Sequence, residues 1–182
     1  MIWGKRYAER AARLRVPAGF LVAALYGIGA QPSRWSLASG LLIALSGLVV
    51  RGWAAGHLAK NEALATSGPF AYTRNPLYMG TAIAAAGFAV AGRRWWLAAL
   101  FAAYFLLAYL PVIGEEESHL RKLFPAYEQY AGRAPRLVPR LSAGAGGAGK
   151  FRWSLYARNR EYQALAGYLA GAALLWAKLG AA

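Results

Sequence analysis

The sequence predicts an all-α, polytopic membrane bundle of about five transmembrane helices, with a tight central helical hairpin and polar segments gathered on the cytosolic side. Three observations predict it. Of 182 residues, 58% are hydrophobic and 14% aromatic, yet the formal charge is +14. Soluble domains seldom combine so much apolar content with so few acids, so the charge must be segregated from the apolar residues. Along the chain it is, because five apolar stretches alternate with basic or turn-rich ones.

The start, MIWGKRYAERAARLRVPAGF, places basic residues ahead of an apolar run as a signal peptide does, but no small-residue cleavage site follows. It reads as a retained first anchor, with Trp3 and Tyr7 suiting residues 1–15 to an interfacial amphipathic helix. The apolar stretches run from about Val16 to Ala30, Leu37 to Ala55, Leu77 to Ala91, Trp95 to Ile113 and Tyr162 to Leu179. A span needs roughly 20 apolar residues, so the first and third must borrow flanking residues or sit in thinned lipid. Only Gly92, Arg93 and Arg94 separate the third from the fourth, which predicts an antiparallel hairpin. Gly80, Ala84 and Gly87 make the third stretch rich in small residues, which allow close helix approach and suggest the centre of the bundle.

Orientation follows from lysine and arginine placement. With the N-terminus in the cytoplasm, sixteen basic residues fall on the cytoplasmic side against four on the other, Arg34, Arg93, Arg94 and Lys178. The 57–76 and 114–160 segments then share the cytoplasmic face and can build one site. Domain boundaries are expected at 1–15 (interfacial segment), 16–141 (membrane core), 142–150 (glycine-rich linker) and 151–182 (basic interfacial segment and last helix). Arg51 lies inside the second stretch, where an unpaired arginine costs about 2.5–3.5 kcal/mol at a helix centre. It either snorkels to lipid phosphate or faces the bundle and holds an anionic group, as a substrate-binding residue would.

Composition excludes several chemistries. There is no cysteine, hence no disulfide, thiolate site or cysteine nucleophile, and with no aspartate and two histidines no histidine-rich metal site is expected. Gly144, Gly146 and Gly149 match the spacing of a dinucleotide-binding loop, but no strand precedes them and a flexible linker is expected. The basic, aromatic FRWSLYARNREY that follows suits a lipid headgroup layer rather than nucleic acid.

Two blocks carry the chemistry. The first is His57-Leu-Ala-Lys60-Asn-Glu-Ala-Leu64 with Thr66-Ser67-Gly68-Pro69-Phe70-Ala-Tyr72-Thr-Arg74-Asn75-Pro76-Leu77-Tyr78-Met-Gly80. Gly68-Pro69 forms a turn. Pro76 pushes Asn75 out of helical geometry and suits the first turn of the next helix, whose free amides meet an anionic or carbonyl group. Tyr72 and Tyr78 offer ring faces to a cation. The second block is Glu115-Glu116-Glu117-Ser-His119-Leu120, then Phe124-Pro-Ala-Tyr127-Glu-Gln-Tyr130 and Pro135-Arg136-Leu-Val-Pro139. The glutamates stand at a helix end where the dipole disfavours negative charge, so something must compensate them. On a continuous helix Glu116, His119 and Leu120 share a face. They form either a solvated acidic cap held by arginines or a carboxylate that receives a ligand's ammonium group.

These blocks resemble the isoprenylcysteine carboxyl methyltransferase and phospholipid N-methyltransferase superfamily of integral membrane enzymes. The resemblance covers roughly Arg51 to Pro139 and rests on GPF-x-YTRNPLY-x-G with the later EE-x-x-L, F-x-x-Y-x-x-Y and PR-x-x-P series. It implies S-adenosyl-L-methionine bound at the cytosolic side, touched by Leu64, Phe70, Asn75, Pro76, Leu77 and Tyr78, with Glu116 receiving its amino group. Arg74 and His119 are further candidates for cofactor binding, and His57 or Lys60 either lines the cofactor mouth or faces lipid headgroups. Asn75 stands where many members have histidine, and Phe70 where tyrosine is common, so no histidine base is available there. Val112 occupies the place of a substrate-binding arginine in the eukaryotic prenylcysteine enzymes.

Methyl transfer from a sulfonium requires alignment and exclusion of water more than a base. A carboxylate or thiolate acceptor needs no deprotonation, and with His57 and His119 as the candidate bases these acceptors are favoured over amines. No catalytic residue is assigned. The expected partners are the membrane and a lipophilic substrate, an isoprenylcysteine-like carboxylate, a lipid or a thiol. Two other readings stand beside this one: an NADPH-dependent membrane lipid or sterol reductase, and a non-catalytic membrane protein.

Overall fold

The computed structural model describes residues 4–144 and 149–180, and among these every regular element is helical. Helix α1 runs Lys5–Gly29. The alanine-, arginine- and glutamate-rich start contains good helix formers and no breaker, so it continues directly into the first apolar stretch and lengthens it. Pro17 is carried inside this helix. Trp3 lies outside the described residues.

Ser33 opens α2 (Arg34–Ala55) with a capping box: its hydroxyl accepts from the Ser36 amide, and the Ser36 hydroxyl accepts from the Ser33 amide at 2.9 Å. An irregular segment and a 3₁₀ turn at Gly68–Ala71 lead to α3 (Pro76–Gly92), with Pro76 in its first turn. Gly68 has φ +58°, a left-handed conformation that favours glycine. After Arg93 closes α3, α4 (Trp95–Tyr104) passes through a π-helical turn at Phe105–Tyr109 into α5 (Leu110–Leu123). Pro111 explains the turn, since it lacks the N–H that the Leu107 carbonyl would otherwise accept. The Tyr7 hydroxyl donates to that carbonyl at 3.0 Å and so ties α1 to the bend. Short helices α6 (Tyr127–Arg133) and α7 (Trp153–Arg158) precede α8 (Tyr162–Gly180).

Among the described residues three helices are long and apolar enough to cross a membrane, Arg6–Gly29, Arg34–Ala55 and Trp95–Leu123, and Pro76–Gly92 is a shorter apolar helix. The architecture is a helical membrane bundle. The fifth apolar stretch forms α8, which lies along α2: the Tyr168 hydroxyl donates to Leu41 O at 3.2 Å. At its far end Lys178 donates to the carbonyls of Gly27 and Ile28, at the C-terminus of α1 where a cation is favourable.

The turn between α3 and α4 is as tight as the sequence predicts, but the intimate partner of α3 is α2. A Cβ placed on Gly40 would come within 2.5 Å of Gly87 O, and one on Gly47 within 2.5 Å of Gly80 O. The glycines of both helices thus face each other along an antiparallel pair. Because α3 is committed to α2, α4 diverges from it and leaves a cleft of about 660 Å³ walled by Ala85, Ala89, Phe101 and Phe105. The small residues of the third stretch were legible in sequence; their complement on α2 decided the pairing.

At the end of the bundle that holds the short turns, Tyr26, Leu37, Ala91, Leu97 and Leu175 bring five helices into one apolar cluster. At the opposite end the 57–75 and 114–160 segments meet. The Arg74 amide donates to Pro135 O at 2.8 Å and the Arg140 amide to Tyr72 O at 3.1 Å. Of the glycine run, residues 145–148, Gly146 among them, lie outside the described residues, while the Gly144 amide donates to Ala71 O at 3.0 Å.

Candidate functional site

The site begins with the segment before α3. Thr73 is fully buried and its hydroxyl lies within 3.3 Å of the carbonyls of Pro135, Arg136 and Leu137, which pins the turn to the Pro135–Pro139 stretch. The Asn75 side-chain amide donates to Arg136 O at 3.0 Å and to the Glu117 carboxylate at 3.2 Å. Glu117 also pairs with Arg136 at 3.3 Å and Arg74 at 3.8 Å. Two arginines and an amide therefore compensate one of the three glutamates, and in doing so they lock the segment against α5.

Glu115 and Glu116 turn the other way, into a cavity of about 780 Å³. That volume lies in the range of small-molecule sites. The face expected from helical spacing is present, with Glu116, His119 and Leu120 together on the α5 wall. Lys60, Leu64 and Phe70 contribute from the 57–71 segment, and Arg74, Asn75, Leu77 and Tyr78 from the turn and first turn of α3. Nine of the expected cofactor-binding residues thus line one space.

His57 and Pro76 do not line it. The His57 ring sits against Gly68 and Phe151, and its Nδ1 is 2.9 Å from Trp53 O, so it buttresses the turn from behind. Pro76 is fully buried beneath the first turn of α3. Tyr72 packs towards Trp53, outside the cavity. The ring of Tyr78 meets that of Tyr109 edge to face at 5.7 Å on the cavity wall.

Arg51 faces the bundle and does not snorkel. Its Nε lies 2.6 Å and its Nη2 3.0 Å from the two carboxylate oxygens of Glu161, and Nη1 donates to Thr81 Oγ1. The anionic group it holds is the protein's own, and both partners line the cavity. Sequence reading could not find Glu161, since only the packing of α8 brings it to α2. Asn159 belongs to the same junction, donating to Ala55 O and Leu58 O at 3.0 and 2.9 Å. Arg15 and Tyr109 also line the cavity and carried no sequence signal: one sits in the basic N-terminal run, the other in an apolar stretch.

Tyr127 and Tyr130 close the side nearest α6. The Tyr130 hydroxyl donates to Phe70 O at 2.8 Å, and the Tyr127 hydroxyl, on a residue 1% exposed, is buried beside Arg74. Burial above all pushes both phenols upward from their ordinary value; the Glu117 charge adds to this and Arg74 opposes it. Arg74 on the cavity wall offers a cation for a carboxylate, Glu115 and Glu116 acceptors for an ammonium group, and Tyr78 and Tyr109 ring faces for a cation. This donor set fits a zwitterion carrying an additional positive charge.

Comparison with known proteins gives two kinds of match. The phospholipid methyltransferase family profile matches residues 35–127. The nickel-cobalt-cadmium resistance protein NccN of Alcaligenes xylosoxydans xylosoxydans is 32% identical over 128 residues, covering 67% of this chain and 60% of that protein. The cobalt-zinc-cadmium resistance protein CzcN of Cupriavidus metallidurans is 33% identical over 135 residues, covering 70% of this chain and 62% of that protein. The chain thus spans about three fifths of the length of these curated relatives. No solved structure matches it.

Proposed function

Since the chain belongs to the phospholipid methyltransferase family, we propose that it is an integral membrane methyltransferase that uses S-adenosyl-L-methionine to methylate a lipophilic acceptor from the cytoplasmic side. The observation that carries this reading is the single cavity shared by the Leu64–Tyr78 segment and the Glu115–Leu120 face, with Arg74 on one side and Glu115 and Glu116 on the other. Arg74 receives the cofactor's carboxylate, Glu116 its ammonium group, and Leu64, Phe70 and Leu77 its apolar parts. When bound, the cofactor supplies an electrophilic methyl group on a sulfonium. Tyr78 and Tyr109 turn ring faces to that cation, an attraction worth about 0.5–2 kcal/mol.

The residues of the chain align and desolvate rather than form covalent bonds. Asn75, fixed by Glu117 and Arg136 O, sets the position of the first turn of α3, and an acceptor enters among apolar helices with its reactive atom held in line with the methyl group. With the cofactor bound, its positive charge would attract an anionic acceptor, and the partly apolar walls of the cavity would favour that pairing. The relatives are named for metal resistance. With no cysteine and two histidines in the chain, we place this protein's part in such a system at a membrane component that it methylates, rather than at the ion.

The test is to incubate purified protein in lipid nanodiscs with deuterated-methyl S-adenosyl-L-methionine and a whole-lipid extract, and to read mass-shifted lipids by mass spectrometry. Saturable cofactor binding with label in one lipid class is expected. Binding of NADPH in its place favours a reductase, and cofactor binding without transfer to any component favours a non-catalytic role.

A further inference from the structure

The cations on the cavity wall differ in how they are held. The Arg51 guanidinium is paired with Glu161 at two points, and Arg74 is paired with Glu117. Among the described residues neither Arg15 nor Lys60 has a carboxylate within ion-pairing distance, and of the two Lys60 is exposed whereas Arg15 is not. Arg15 lies with its guanidinium 5.8 Å from the centre of the Tyr109 ring and within hydrogen-bonding reach of the Tyr78 hydroxyl, which Glu116 also reaches. The backbone there is held fixed, since the Tyr104 hydroxyl donates to Arg15 O at 2.6 Å. Arg15 is half-buried, at the edge of the apolar part of α1, where an uncompensated guanidinium is costly. It also lies outside the stretch matched by the family profile, which begins at residue 35.

From this geometry we infer that Arg15 is the specificity residue for the methyl acceptor, binding an anionic group, carboxylate or phosphate, at the head of a lipophilic molecule. The inference rests on the methyltransferase reading. Glu116, which also reaches Tyr78, is the carboxylate that reading assigns to the cofactor's ammonium group, so it is engaged there and leaves the guanidinium to an incoming anion. The acceptor's apolar chain then lies along α1, the π-helical turn and α5, where Ala12, Tyr109 and Val112 form the wall. A planar guanidinium over an aromatic face keeps its N–H edge free for two-point recognition of a carboxylate or phosphate.

The experiment measures binding of three probes, dodecanoate, dodecyl phosphate and dodecanol, to full-length wild-type and Arg15→Gln protein in nanodiscs of neutral lipid, with and without S-adenosyl-L-methionine. The expected result is a loss of about tenfold or more for one or both anionic probes in the variant, dodecanol and cofactor affinities unchanged, with Arg15→Lys recovering part of the loss. Dodecanoate against dodecyl phosphate identifies which headgroup is read. Equal binding of the anions by wild type and Arg15→Gln overturns the inference, as does a parallel loss of dodecanol or of the cofactor. If wild-type protein binds no cofactor, the methyltransferase reading fails on its own, and the cofactor-free arms still decide whether Arg15 reads an anion.

Discussion

Arg51 and Glu161, far apart in the chain, form a two-point ion pair at 2.6 and 3.0 Å inside the bundle, with Thr81 and Leu77 O completing the guanidinium's contacts. Glu161 is 6% exposed. Breaking a buried pair from one side leaves an unpaired charge and costs about 3–5 kcal/mol, whereas replacing both partners by apolar residues is often close to neutral. Glu161→Gln is therefore expected to lower the thermal midpoint markedly, and Arg51→Met with Glu161→Leu to restore most of it, read by thermal melts in detergent. A double variant no more stable than Glu161→Gln would show that the pair does not join α8 to α2.

Glu116 is expected to hold the cofactor through a charge-assisted hydrogen bond, a class worth about 1.5–3 kcal/mol. Glu116→Gln should weaken S-adenosyl-L-methionine binding by roughly ten- to a hundredfold by calorimetry, with the melting curve nearly unchanged. Glu117→Gln should do the reverse, lowering stability first, since Glu117 binds Arg74, Arg136 and Asn75 rather than the cavity.

The glycine contacts between α2 and α3 give a paired test. Gly47→Val would push a side chain into Gly80 O and the Ala84 backbone, and overpacking costs about 1–3 kcal/mol or more when backbone blocks relief. A Cβ added at Gly167 would meet nothing within 4 Å, so Gly167→Ala in α8 should instead gain up to about 1 kcal/mol of helix propensity. Yield of monodisperse protein and thermal midpoints separate the two.

Alkaline pH should loosen the α6 side of the cavity. The phenols of Tyr127 and Tyr130 are raised above their ordinary value of 10.0, chiefly by burial. The unfolded chain thus loses these protons first. Their contribution is fully present below about pH 10 and is lost as the pH rises through the higher folded-state values. Phenolate absorbance should show late-titrating groups that disappear in Tyr127→Phe and Tyr130→Phe; ordinary titration of both would contradict their burial.

Much of the architecture is written in short stretches of sequence. The positions of the apolar helices and the break before α3 follow from apolar run length and from Gly-Pro and Asn-Pro chemistry, and the shared wall of Glu116, His119 and Leu120 follows from a period that any helix obeys. Nine expected cofactor-binding residues line one cavity because each lies within a contiguous motif whose local geometry the sequence dictates. His57, equally polar and close by in sequence, turned outward, because which way a loop side chain points depends on what packs behind it, here Phe151.

What the sequence by itself determined, then, is the class of fold, the segregation of charge and the two blocks that build the site. Only the tertiary structure decided that α3 pairs with α2 rather than with its neighbour α4, that Arg51 finds Glu161, that Glu117 and not Glu116 is spent on arginines, and that Arg15 enters the cavity from α1. The reason is physical: periodicity and turn chemistry act over a few residues and are written locally. Helix pairing and ion pairing across the bundle are settled by shape and charge on surfaces far apart in sequence, which become neighbours only when the helices pack.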